Sequence, residues 1–206
     1  MSARVDAPAP ERSLEVRPVT PDRWDDLVSV FGQRGDDPGW CWCRMFLGPA
    51  ADTSGSLGTT PDNREALRQE VTAAATPPGL IAYVDGRPAG WSRVGPRDGF
   101  PRVRANRALA RVLADDPGAW WVTCFAIESG HRRTGVAAAL LEAAVAFARD
   151  HGATSVEGHP VDVAALKATR VSGSALFIGT MATFVAAGFS EVGRTFSSRP
   201  VMRLVL

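Results

Sequence analysis

Apolar residues first recur at helical spacing after Thr20, where Trp24, Leu27, Val28 and Phe31 share one face. Thr20 is placed to cap this helix, Pro21 takes its first position and Gly32 stops it. A second helix is predicted from Pro61 to about Ala75, with Leu67 and Val71 inward and Pro77-Pro78-Gly79 at its end. Between the two lie a turn-rich stretch, 34–39, and a Gly/Ser/Thr-rich loop from Gly48 to Thr60. The pattern then turns extended. Leu80–Val84 and Ala89–Val94 flank Asp85-Gly86 and read as a hairpin with that pair at its tip. A variable piece follows, helical across Asn106 to Leu113.

Trp120–Ile127 is an unbroken apolar, β-branched run, as a strand buried on both faces would be. Val136–Arg149 has a strong helical period, with Val136, Leu140, Ala144 and Phe147 on one face and Gly152 placed to cap it. A strand (Ser155–Val161), an insertion (Asp162–Ser174), a helix (Thr180–Ala187) and two short strands complete the chain. No repeat or linker divides it. The expectation is a disordered lead-in over residues 1–13 and one α+β domain over 14–206.

Composition narrows the partners. Twenty-three basic against 22 acidic residues in 206 leave a net charge of +1, so nucleic acid and anionic membrane are not expected as partners. No stretch reaches the ~18 apolar residues of a membrane span, and the start lacks the apolar core of a signal peptide. Cys41, Cys43 and Cys124 are odd in number and too few for a disulfide framework. They read as core residues in a reducing cytoplasm, with no metal site. All the cations but Lys167 are arginine, an excess that reads mainly as coding bias.

The chemistry concentrates where the buried strand meets the strong helix, at Phe125-Ala126-Ile127-Glu128-Ser129-Gly130-His131-Arg132-Arg133-Thr134-Gly135-Val136-Ala137. A strand that turns through glycines into a helix N-terminus aims unpaired N–H groups and a positive dipole at one place. Arg132 and Arg133 add charge, Gly135 lets a ligand approach the backbone, and a pyrophosphate suits the result. A dinucleotide-fold glycine pattern and a Walker loop are both absent from this stretch.

Arg132-x-x-Gly135-x-Ala137 resembles the Arg/Gln-x-x-Gly-x-Gly/Ala motif of the GCN5-related N-acetyltransferases (GNAT). Phe125-Ala126-Ile127 looks like the end of that family's fourth strand, and Phe184-Val185-Ala186-Ala187-Gly188-Phe189 is similar to its C-terminal helix-to-strand signature. The resemblance runs from about Val16 to Leu206. It implies an α+β fold with a mixed, mostly antiparallel sheet of about six to seven strands, splayed between strands 4 and 5 around acetyl-CoA. By position, Arg132, Arg133, Thr134, Gly135, Val136 and Ala137 would hold the CoA pyrophosphate. Phe125, Ala126 and Ile127 would pair with the pantetheine arm, and one of their amides would polarise the thioester carbonyl.

The sequence departs from that pattern at the proton carriers. Phe184 stands where the family often has a tyrosine acid, Phe177 where an asparagine is usual, and Trp121 and Thr123 where a strand base can lie. His159 or Glu157, alternating at the end of the fifth strand, is the candidate acid/base. Trp40 and Trp42 could wall an acceptor pocket towards which Asp36 and Asp37 draw a cationic amine. The expected activity is direct acetyl transfer to a small-molecule amine. A protein lysine or N-terminus as acceptor, a non-catalytic acyl-CoA-binding module, and a homodimer all stay open.

Overall fold

The computed structural model describes residues 12–31, 42–44, 46–47, 60–166 and 176–206. Seven strands form one sheet in the order β1-β2-β3-β4-β5-β7-β6: β1 Leu14–Pro18, β2 Gly79–Val84, β3 Arg87–Pro96, β4 Ala119–Ile127, β5 Ser155–Gly158, β6 Ser190–Phe196 and β7 Arg199–Val205. Only β4 and β5 pair in parallel. The helices are α1 Trp24–Phe31, α2 Thr60–Ala73, α3 Pro101–Arg104, α4 Arg107–Ala110, α5 Val136–Asp150 and α6 Met181–Ala186. None among the described residues is long and apolar enough to cross a membrane.

The predicted hairpin forms. Asp85 and Gly86 both take positive φ (50° and 74°), the backbone that a two-residue turn between twisted strands requires. Helix α5 buries Val136, Leu140, Leu141, Ala144, Val145 and Ala148, whereas Phe147 is half-buried. Gly152 ends it at φ 78°, with the Ala153 amide donating back to Ala148 O at 3.0 Å. At α1 the expected cap differs. The Thr20 side chain makes no capping bond; its hydroxyl accepts from Arg23 Nη1 at 2.6 Å, and a 3-10 turn, Pro21–Arg23, leads into the helix. Of the helix predicted over Asn106–Leu113, only Arg107–Ala110 forms, capped by Asn106 Oδ1.

Strand β4 divides the core. Trp120 and Val122 face α5, while Trp121 packs on the opposite face with Phe100, Val103, Leu109 and Val201. A bulge at Cys124 (φ 58°), opposite Ser92, then reverses the alternation. As a result Cys124 and Ala126 join α1 and α2 with Leu27, Phe31 and Leu67, while Phe125 turns to the α5 side. Cys43 and Cys124 are buried, as expected of core residues, but they are joined in a disulfide with Cα atoms 6.0 Å apart. The reading of these thiols as unlinked is corrected. The bulge turns Cys124 towards a residue 81 positions away, a pairing that counting cysteines does not reveal.

Beyond Trp121 and Glu157 the parallel pair separates. Phe184 is fully buried beside the origin of this split, edge-on to Phe125 and Phe189. A Cβ at Gly158 would stand 2.5 Å and 2.7 Å from the Phe184 ring. Gly158→Ala should therefore destabilise the fold by about 1–3 kcal/mol through overpacking. Gly158→Ala combined with Phe184→Leu should recover part of that loss in urea unfolding; strictly additive losses would show that the ring is not what the methyl meets.

Candidate functional site

The split opens on β4 residues Phe125–Ile127, whose other edge is tied to β3 through the pairs Trp91–Ala126 and Gly90–Ile127. Residues 176–180 lie between β4 and the extension of β5. The Phe125 amide donates to Phe177 O at 2.6 Å, the Val161 amide to Gly179 O at 3.0 Å, and the Met181 amide to Val161 O at 2.8 Å. The Phe125 amide thus points into the split and meets a carbonyl there.

The far end of the split is the loop 128–135. The Glu128 carboxylate organises it, accepting from the Gly130 amide at 3.1 Å and bonding His131 Nδ1 at 2.7 Å. The bond to His131 holds the Glu128 carboxyl below its ordinary range. Arg133 (φ 61°) and Gly135 (φ 89°) turn the backbone, and Thr134 Oγ1 donates to His131 O at 2.6 Å. A Cβ at Gly135 would meet nothing within 4 Å, so what glycine supplies there is the positive φ. The Ala139 amide donates to Gly135 O at 3.0 Å, so the amides of Val136, Ala137 and Ala138 precede the first bond of α5 and are left for an anion. Arg132 and Arg133 are exposed beside them. These groups suit a pyrophosphate.

Sequence reasoning missed a further cation here. Arg12 Nη2 donates to Thr134 Oγ1 at 3.0 Å, and the Ser13 amide donates to Asp85 Oδ1 at 2.9 Å, so residues 12 and 13 of the expected lead-in are tied to the domain. Arg12 lies 122 residues from Thr134, and no local pattern links them.

On the opposite face of the sheet, the two candidate proton carriers have different surroundings. Glu157 is fully buried, with Arg97 Nη1 at 2.8 Å and Arg203 Nη1 at 3.4 Å. Burial pushes its carboxyl above the ordinary range, against the pull of both arginines. Arg203 in turn pairs with Asp116 at 2.6 Å, and Asp116 accepts from Thr154, Ser155 and the Gly118 amide. His159 is half-buried; its Nε2 lies 2.7 Å from Thr195 Oγ1, and the Arg199 backbone also bonds the ring. Burial, reinforced by the Arg199 charge, pushes the His159 pKa down to about 4.

Trp42 is buried, against Phe31 (centroids 4.6 Å apart) and Trp24 (6.0 Å), with Arg64 over its ring. It packs in the core rather than standing as an open wall. Asp36, Asp37, Trp40 and Cys41 lie outside the described residues. Among the described residues no group of three or more His, Cys, Asp or Glu could hold a metal ion.

Comparison with known proteins gives this geometry its context. Residues 49–171 match the model of the acetyltransferase (GNAT) family. No curated protein sequence matches the chain. Among solved structures, the aminoglycoside acetyltransferase AAC(6')-Ib in complex with coenzyme A superposes with a TM-score of 0.56 at 19% identity, over 94% of this chain and 95% of that one. The GNAT domain of S. lividans PAT gives 0.55 at 18% identity, over 98% and 100%. An N-acetyltransferase from Staphylococcus aureus Mu50 gives 0.52 at 12% identity, over 94% and 98%. The family match spans more than half of the chain, and these structures share its fold: the chain belongs to the GNAT acetyltransferase family.

Proposed function

We propose that this acetyltransferase acetylates the amine of a small molecule by direct transfer, with both substrates bound at once. The observation that carries the reading is the Phe125 amide, which stands in the β4–β5 split already bonded to a carbonyl, that of Phe177. Acetyl-CoA supplies the activated acetyl group. Its thioester carbonyl would replace Phe177 O on the Phe125 amide, which would hold the negative charge that develops as the amine attacks. Phe125, Ala126 and Ile127 would align the pantetheine arm. Arg132, Arg133, Thr134, Gly135, Val136 and Ala137 would hold the pyrophosphate, with Arg12 beside Thr134 as a third guanidinium. Support for a small acceptor comes from the neighbour AAC(6')-Ib, seen with kanamycin and coenzyme A and with paromomycin and acetyl-CoA. A protein lysine or N-terminus is the other acceptor class, and labelling of lysate proteins by tagged acetyl-CoA would reveal it.

His159 takes the proton that the amine must lose, through Thr195 or a water molecule. With its pKa near 4 it is neutral at pH 7 and a weak base. Glu157, enclosed by Arg97 and Arg203, keeps the end of β5 in place. A second reading rests on Phe184: a buried ring without a hydroxyl gives the departing thiolate no acid, as in a module that binds acyl-CoA without turnover. Thiol release across a panel of amines decides between the two.

Three outcomes are expected. Acetyl-CoA at about 100 times its Kd should stabilise the protein by about 2.7 kcal/mol. For a chain of this length that is roughly 5–10 °C in Tm, and Arg132→Glu should lose most of it; no shift in the wild type removes the cofactor assignment. The kcat/KM of the wild type should rise with pH along the titration of the acceptor amine, without an inflection near pH 6.5 from His159. Stability gives an independent reading. The folded pKa of His159 lies below its ordinary 6.5, so the unfolded chain binds more protons between pH 4 and 6.5. Stability is then fully present above pH 6.5 and is lost as pH falls towards 4. Urea titrations should show the wild type losing up to about 3 kcal/mol more than His159→Gln over that interval; parallel profiles would contradict the shift.

A further inference from the structure

Arginines around the sheet are sorted by their partners. Arg93 reaches Glu70 with two bonds of 2.7 Å and 2.9 Å, Arg97 reaches Glu157 at 2.8 Å, Arg203 reaches Asp116 at 2.6 Å and Arg194 reaches Asp162 at 2.8 Å. Arg199, the first residue of β7, meets no carboxylate among the described residues. Its Nη1 is buried without a hydrogen-bond partner, and desolvation alone lowers its pKa. A guanidinium nitrogen shut off from water is costly unless an acceptor receives it.

Its surroundings are built for a polar guest. The register of β5 on β7 sets Glu157 opposite Arg203, so by strand alternation Arg199 and Arg203 share a face with Glu157 and His159. One more unpartnered polar atom lies on that face. Trp121 Nε1 belongs to a fully buried side chain paired with Glu157 and makes no hydrogen bond, whereas Glu157 Oε1 has the 3.4 Å ion pair with Arg203 Nη1. Unpartnered buried polar atoms are rare in folded proteins, and Arg199 Nη1, on a residue whose backbone bonds the His159 ring, marks a place where something polar can be received.

We propose that Arg199 receives a carboxylate carried by the acceptor, so that the amine acetylated is an amino-acid-like zwitterion. One guanidinium beside a neutral imidazole, with the Glu157 carboxylate on the same face, suits a monoanion and disfavours a phosphate dianion. This assignment rests on the acetyl-transfer reading only for the identity of the amine as acceptor; the carboxylate site is testable without turnover.

The test uses the full chain and matched compounds that differ only by the carboxylate: phenylalanine with phenethylamine, and lysine with cadaverine. Both Tm and thiol release from acetyl-CoA are read. At least one amino acid should raise the Tm of the wild type where its decarboxylated partner does not, and Arg199→Gln should abolish that rise. The ratio of kcat/KM within the pair should fall about tenfold in Arg199→Gln, the share of a charged hydrogen bond. Without ligand, Arg199→Gln should melt at or above the wild type, because a partly desolvated charge without a carboxylate partner is gone.

Equal Tm responses within every pair, or a carboxylate preference intact in Arg199→Gln, overturn the proposal. So does a clear drop in the ligand-free Tm of Arg199→Gln, which would make the guanidinium structural. Stabilisation by succinyl-CoA beyond that by acetyl-CoA, dependent on Arg199 and with none from the amino acids, would move the carboxylate to the acyl donor and overturn the acceptor assignment. A carboxylate-dependent Tm rise without thiol release from any compound keeps the site and instead refutes the acetyl-transfer reading.

Discussion

The parallel pairing of β4 with β5 lasts three residues, and the rest of the site depends on its ending there. Up to Trp121 and Glu157 the two strands pair directly, and a chain of alternating charge ties β5 to β7 and to the segments beside β4. Arg97 holds Glu157, Glu157 holds Arg203, and Arg203 holds Asp116, which also takes the hydroxyls of Thr154 and Ser155. Buried ion pairs of this kind add little net stability, but breaking one leaves an uncompensated charge, so they resist a shift in register. Past this point the direct ladder ends, and residues 176–180 lie between the two strands. The Phe184 ring lies where a Cβ on Gly158 or Gly179 would collide with it, and the strands diverge around it.

The bulge at Cys124 turns that divergence into a directed site. By reversing the alternation of β4 it sends Phe125 to the α5 side and keeps Cys124 and Ala126 beneath α1 and α2. The Phe125 amide then lies on the unpaired edge, and the N-terminus of α5 stands a short loop beyond Ile127. One backbone irregularity relates a donor for a carbonyl to a set of donors for an anion. The charged face with Glu157 and Arg203 occupies the other side of the sheet from α5.

What could be read from the sequence is what depends on near neighbours along the chain. The apolar run of β4, the helical period of α5, the Asp85-Gly86 turn and the glycine of the anion loop each follow from a few adjacent residues. Strand β1 escapes such a reading because its alternation, with Leu14 and Val16 half-buried and Glu15 and Arg17 exposed, lasts only five residues at a sheet edge. The parity change at Cys124 is likewise hidden, since a bulge in a strand buried on both faces alters no apolar position. His159 was legible as a residue near the split, but its depressed pKa comes from burial and Arg199, 40 positions away in sequence. Arg12, Arg97 and Arg203 act across the fold, and an arginine-rich composition gives no means of singling them out.

The bond between Cys43 and Cys124 closes a covalent ring that includes β2, β3 and most of β4. A link across 81 residues acts chiefly on the unfolded chain, removing conformations worth on the order of 4–5 kcal/mol at 25 °C in the chain-entropy model. That restriction falls on one half of the domain alone. The ring ends inside β4, whereas α5, β5, α6, β6 and β7 all lie beyond it, outside the loop. The two walls of the split are therefore unequal in the denatured ensemble: one is held near its native neighbours by a covalent bond, and the other must find its place by diffusion.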